Sequence, residues 1–142
     1  MVIVLTSRSH LAEFIPMILK KEKDTVKAEI AANDDLSIIC DGSTRLGEAL
    51  AIVVRFIDQW NVQQRLVKLE VLARSLNAEQ LAQRLIQCLA VEYAVKPNQL
   101  LAVMRDGAAV NEAGLRQVGF HFPTIFNVTC FSHTIDNVGK HF

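Results

Sequence analysis

Two aspartates in this sequence share one local pattern. Asp41 follows the apolar run Leu36-Ser-Ile-Ile-Cys40, and Asp106 follows Leu100-Leu-Ala-Val-Met104 and Arg105. Each is succeeded by a glycine, Gly42 or Gly107, which lets the backbone turn away and leaves the carboxylate accessible. Two aspartates held side by side repel, and one takes up a proton unless a cation neutralises the pair. A hard, oxygen-seeking ion such as Mg²⁺ or Mn²⁺ suits them, and such ions clamp an in-line phosphoryl displacement. Asp-Gly after a strand is equally a common turn. Which reading holds depends on whether the fold brings the two positions together.

Other residues make smaller claims. Cys130-x-x-His133 has the spacing of half a zinc site, but structural zinc takes four ligands, usually from two such pairs. His121 and His141 are the only other histidines nearby, and Cys40 and Cys88 sit in core-like runs. Cys130 is therefore expected in the core, with His133 on the first turn of a helix beside the aspartates. A helix N-terminus disfavours the charged imidazole, which suits a neutral, hydrogen-bonding role. Asp136, on the same helical face, is either a solvated residue or a third carboxylate, and Glu112 has a similar claim. Ser43, Thr44 and Arg45 are either turn residues or phosphate binders. Arg105 pairs with Asp106 or with nucleic acid, and Arg55, inside an apolar run, is expected to pair with an acid. Trp60 and Tyr93 are too isolated to form a base-stacking platform.

The elements that must position these residues can be read along the chain. Residues 1–34 form a helical lead-in, with Leu11, Phe14, Ile15 and Ile18 at helical spacing and Lys20 to Lys27 polar on most sides. It ends near Ala32-Asn33-Asp34, and Pro16 predicts a break or a helix start. Leu36 to Cys40 is a strand closed by an Asp41-Gly42-Ser43 turn. Ala51 to Ile57 is a second strand, apolar on both faces except at Arg55, and Asp58-Gln-Trp-Asn61 turns the chain. Arg65 to Val71 is a third strand, in which Val67, Leu69 and Val71 alternate with Lys68 and Glu70 and are expected to face the core.

The second half changes period. Asn77 and Gln80 make a capping box, and Leu81, Leu85, Cys88, Leu89 and Tyr93 share one helical face, with Pro97 beyond the end. Leu100 to Met104 is a strand, Ala108 to about Gln117 a helix, and Ile125 to about Thr129 a strand after Pro123. A last helix starts near Phe131. The order is β-β-β-α-β-α-β-α. Right-handed crossovers then give an α/β domain, a five-stranded mixed sheet of order 3-2-1-4-5 with helices on its faces. The first and fourth strands become neighbours, and Asp41 meets Asp106 at the carboxyl edge, where such sheets carry their sites.

Composition bounds the rest. The chain has 142 residues, 15 basic against 15 acidic, 51% hydrophobic residues and a mean hydropathy of +0.24. That is one domain with a real core, and it excludes a disordered chain. Zero net charge argues against binding nucleic acid by bulk electrostatics while leaving room for a locally charged groove. Three widely spaced cysteines suit a reducing compartment better than a disulfide framework. No apolar run approaches the ~20 residues of a membrane span, and Met1-Val-Ile-Val-Leu5 is too short for a signal segment. An intracellular protein without a membrane partner is expected.

The strand order and three motifs together resemble a known family. Leu36-Ser-Ile-Ile-Cys-Asp-Gly42, Met104-Arg-Asp-Gly-Ala-Ala-Val-Asn111 and Cys130-Phe-Ser-His133 are similar to stretches of the hAT DNA transposases, enzymes of RNase H-like fold. The resemblance spans residues 35–142, the part that follows the lead-in. It implies that Asp41 and Asp106 are catalytic metal ligands for Mg²⁺ or Mn²⁺, with His133 in support. It implies DNA as partner, strand cleavage and transfer as the chemistry, and the nucleus as the place. The family's third carboxylate is a Glu beyond a large helical insertion, further downstream than Phe142, and no Cys/His cluster stands for its zinc-binding amino-terminal domain. A partial transposase core is therefore expected, a truncated copy or domesticated remnant, inactive alone. The alternative is a non-catalytic, transposon-derived domain that binds nucleic acid or protein. A partial core also leaves apolar sheet or helix surface exposed, and self-association is expected from it.

Overall fold

A computed structural model describes residues 8–43 and 48–139. In order, the elements are α1 (Arg8–Ala31), β1 (Leu36–Ser43), β2 (Glu48–Asp58), β3 (Asn61–Leu72), α2 (Ala78–Ile86), β4 (Leu100–Arg105), α3 (Ala109–His121), β5 (Phe126–Thr129) and α4 (Phe131–Gly139). A π-helical stretch, Gln87–Glu92, continues α2. The five strands form one mixed sheet in the order β3-β2-β1-β4-β5, as the crossover argument requires. The pairs β1–β2 and β2–β3 are antiparallel, while β1–β4 and β4–β5 are parallel. No described helix is long and apolar enough to cross a membrane.

The capping box is present at the start of α2. The Asn77 side chain accepts from the Gln80 N–H at 2.8 Å, and the Asn77 N–H donates to Gln80 Oε1 at 3.2 Å. From there Leu81, Leu85, Cys88, Leu89 and Tyr93 all turn inward and are buried. The chain leaves the π stretch through Ala94, whose φ of 55° lies in the left-handed region. The β2–β3 hairpin turns on Gln59 and Trp60, at φ 46° and 66°, a geometry that usually calls on Asn and Gly. Trp60 is 98% exposed at the tip, so no packing offsets that backbone strain.

All the strongly buried strand residues lie on one face. Leu36, Ile38 and Cys40 of β1, Leu50, Ile52, Val54 and Phe56 of β2, and Val103 of β4 join one core with Leu85, Leu89, Leu115, Val118 and Phe122 of the helical segments. The α1 helix adds Ile30 to that core, and its Glu29 carboxylate takes a two-pronged pair from Arg65 at 2.7 and 2.9 Å. The intervening strand residues, such as Ser37, Ile39, Val53, Ala102 and Met104, are only half-buried on the opposite face.

Three expectations are corrected. The α1 helix runs straight through Pro16, which withholds one N–H from the ladder without ending it. Its Leu11, Ile15 and Ile18 stripe is exposed, and Val26 and Ile30 of the polar half do the packing. Asp41-Gly42-Ser43 is no turn: these residues extend β1 and pair with Ala51, Leu50 and Ala49. In β3 the inward set is different, because the ladder shifts register between Ile52 and Val53: Val53 faces Leu66 and Ile52 faces Lys68. Val67 is the extra residue of a bulge, so Val67 and Lys68 both turn to the covered face. Beyond it the alternation is inverted, and Leu69 and Val71 are 65% and 80% exposed. Lys68 instead reaches Glu92 at 3.0 Å, and Glu70 pairs with Arg84.

Candidate functional site at the carboxyl edge of the sheet

Parallel pairing aligns Ile39 of β1 with Met104 of β4. Two residues further along each chain stand Asp41 and Asp106, at the same level on adjacent strands. Asp41 is exposed and Asp106 half-exposed, so both carboxylates remain within reach of solvent. Cys40, buried next to them, senses both. Burial pushes its thiol up to about 12, and the charges of Asp106 and then Asp41 add to the rise. That makes Cys40 an inert core thiol. Burial does the same to Cys88, to about 11, with Glu92 adding to it.

Asp106 is held from the helix that follows it. Its Oδ1 accepts the Ala108 N–H at 3.0 Å and the Asn111 side-chain amide, Nδ2. The first is an Asx turn, and it places a carboxylate at the amino end of α3, where the helix dipole favours negative charge. Ala108, the N-cap of α3, has no side-chain cap of its own, so Asp106 serves that end. Both hydrogen bonds go to Oδ1 and neither uses Oδ2. The Asp-x-x-x-x-Asn spacing is visible in sequence, and the structure shows what it does: it fixes the carboxylate's rotation. Gly107 has open space where a Cβ would sit, so its lack of a side chain is not what frees Asp106.

Arg105 is a structural residue. It is 8% exposed, donates from Nε to Asn127 Oδ1 at 3.0 Å, and donates from Nη1 to the Asp106 carbonyl at 2.8 Å. It therefore ties β4 to β5, and its hydrogen bond to Asp106 goes to the carbonyl rather than the carboxylate. Glu112 lies 3.0 Å from Arg116 and 3.8 Å from Arg105, which commits it to those cations rather than to the aspartates.

The Cys130 N–H donates to the Arg105 carbonyl at 2.7 Å, so α4 starts at the same edge as Asp106. His133 and Asp136 fall on that helix, and their side chains lie outside the described residues, as do Thr44, Arg45 and His141. Cys130 is half-buried rather than in the core. Among the described residues, no three His, Cys, Asp or Glu side chains come together as a metal-binding group. Asp41 and Asp106 nevertheless fit a hard divalent ion of the Mg²⁺ kind, which takes one or two carboxylates and keeps several waters.

Sequence reasoning missed the opposite, amino edge. There a cavity of about 620 Å³ opens between the α1–β1 link and the sheet, lined by Asp34, Asp35, Ser37, Arg55, Val62 and Leu101 among others. Arg55 has no acid partner among the described residues, and its Nε is buried without a hydrogen bond. The expected ion pair is absent: Arg55 points to the uncovered face, away from the acids of α1 and the π stretch; Asp34 and Asp35 line the same cavity, but among the described residues neither forms an ion pair with it. Compared with known proteins, the chain matches no family model and no curated relative.

Proposed function

We propose that residues 35–142 form part of an RNase H-like core of the hAT transposase kind, in which Asp41 and Asp106 hold Mg²⁺ or Mn²⁺ for cleavage and transfer of DNA strands in the nucleus. One observation carries this reading: two aspartates distant in sequence stand level on adjacent parallel strands, at the carboxyl edge of the sheet. The clamp on Asp106 Oδ1 supports it, because a carboxylate held in one rotamer binds a cation without first being ordered. A divalent ion bound there supplies Lewis-acid stabilisation of charge on a phosphate oxygen. The chain's own contribution is to hold the two carboxylates, with Asn111 and the Ala108 N–H orienting one of them. By the same resemblance, His133 is the supporting residue.

A Mn²⁺ titration read by electron paramagnetic resonance, with a nuclease assay on nicked or hairpin DNA, tests the reading. Saturable binding by the chain is expected to be lost in Asp41→Ala and in Asp106→Ala, and weakened several-fold in Asn111→Ala. Unchanged binding in both aspartate variants would overturn it and leave a non-catalytic interaction domain.

A further inference from the structure

We propose that the cavity at the amino edge of the sheet binds a small zwitterion, an apolar molecule carrying one carboxylate and one ammonium group, as a free apolar amino acid or a short apolar peptide does.

Three charged side chains line this cavity, and among the described residues no ion pair joins Arg55 to Asp34 or Asp35. The same sheet shows what unlike charges do when they can meet: Arg65 reaches Glu29 at 2.7 Å and Lys68 reaches Glu92 at 3.0 Å. Register accounts for the gap. Arg55 aligns with Ser37, and Asp35 stands two residues before Ser37, roughly 7 Å back along the strand direction. The link that carries the aspartates is also pinned on both sides of them. Buried Gln99 donates from its side chain to the Asn33 carbonyl at 2.6 Å, and the Leu36 N–H donates to the Gln99 carbonyl at 2.8 Å. The two carboxylates are thus carried on a backbone already ordered, which lowers the cost of binding.

A ligand with one anionic and one cationic group bridges that gap. The Arg55 guanidinium offers a planar fork to a carboxylate, and its Nε is a buried donor that no group of the chain satisfies. Asp34 and Asp35, both exposed, take the ammonium. With two acids to one base the cavity repels a simple carboxylate, and a simple amine leaves Arg55 without an acceptor. The remaining wall is apolar: Ile57, Val62 and Leu101 are exposed there, and the ligand's apolar body removes their area from water. Half-buried Ala102, short of side chain, leaves room for it. At about 620 Å³ the cavity lies within the ~300–1,000 Å³ of small-molecule sites. It opens at the edge opposite Asp41 and Asp106, so this site and the metal reading stand or fall separately.

Titration of the isotope-labelled chain with L-leucine and with L-leucyl-L-leucine, followed by amide correlation spectra, tests the site. Saturable shifts at Asp35, Ser37 and Ala102 are expected with at least one of them, and the tighter of the two tells amino acid from peptide. Isocaproate, which lacks the ammonium, and isoamylamine, which lacks the carboxylate, are expected to bind at least about tenfold more weakly than the better zwitterion. Arg55→Gln and Arg55→Lys are each expected to lose at least about tenfold in affinity, since lysine keeps the charge but not the fork. The dispersion of the same spectra reports whether each variant folds. Asp34→Asn with Asp35→Asn is expected to weaken the zwitterion and strengthen isocaproate, a reversal that a merely structural role does not produce. Val91→Ser, at an exposed site on the π stretch, leaves binding intact. No saturable shift with either zwitterion at millimolar concentration would overturn the proposal. Isocaproate binding as tightly as the zwitterion would overturn the ligand class, and unchanged affinity in both Arg55 variants would overturn the site.

Discussion

The two faces of this sheet are built from the same strands and almost the same residue types, yet they differ in physics. Ile52 and Val53 are neighbours on β2. Ile52 is fully buried under the helices, whereas Val53 is half-buried on a face that no described helix covers. On the covered face, polar groups that come inward find partners: Tyr93 donates its hydroxyl to the Val67 carbonyl at 3.2 Å, and Lys68 meets Glu92. On the other face, Arg55 finds none. Apolar residue type alone therefore says little about burial in an all-apolar strand, because both faces read as core. Partners for the polar residues discriminate better.

The sharpest test of the contrast uses one substitution on one strand. Ile52→Ala removes a fully buried side chain and is expected to cost about 2–5 kcal/mol. Ile57→Ala removes a side chain that is 66% exposed and is expected to cost under about 0.5 kcal/mol. Urea unfolding measures both. Comparable costs at the two positions would mean that the second face is covered within one chain, and would break the comparison.

Legibility followed the same division. The strand order, and with it the meeting of Asp41 and Asp106, was accessible because crossover handedness leaves few ways to arrange this element order. The α2 start and its inward face were accessible because Asn77, Gln80 and the leucine spacing are local signals. The faces of β3 were not. A bulge at Val67 leaves no residue signature of its own, and it exchanges the roles of Lys68, Leu69, Glu70 and Val71. In hindsight the sign is electrostatic, since Lys68 and Glu70 have opposite charges waiting at Glu92 and Arg84. The extension of β1 through Asp41-Gly42-Ser43 was hidden for a related reason. Turn-prone residues pair in a ladder when a long neighbour offers the hydrogen bonds, and β2 has 11 residues to offer. The Asn111 clamp needed coordinates, because spacing alone does not say which oxygen is held.

Acid titration sharpens the electrostatic half of the comparison. Hydrogen bonding from Lys23, then the pull of Lys68, lowers the Glu92 pKa from 4.5, and Arg65 lowers that of Glu29. A carboxylate whose folded pKa lies below its unfolded value adds stability above the unfolded value and loses it as pH falls through the folded one. Stability is thus expected to hold from neutrality to about pH 4.5 and to fall below it, with these two groups contributing. Lys23, raised by Glu92, has the opposite sign: its contribution is full below 10.5 and disappears as pH climbs through the raised value. These groups are partly solvated, so Glu92→Gln is expected to cost only about 0.5–1 kcal/mol at neutral pH and to flatten the acid limb. Urea midpoints at a series of pH values provide the measurement. An unchanged acid limb would show that Lys68 comes inward for reasons of register alone.

The smallest expected effect bears on the bulge itself. If Val67 displaces the alternation as described, Leu69→Thr exchanges a 65% exposed leucine for a β-branched residue suited to a solvated strand face, and stability should stay within about 0.5 kcal/mol. Were the strand regular, Leu69 would lie in the core, and the same change would bury a hydroxyl in place of a packed side chain at a cost of several kcal/mol. One denaturation curve therefore separates the two registers.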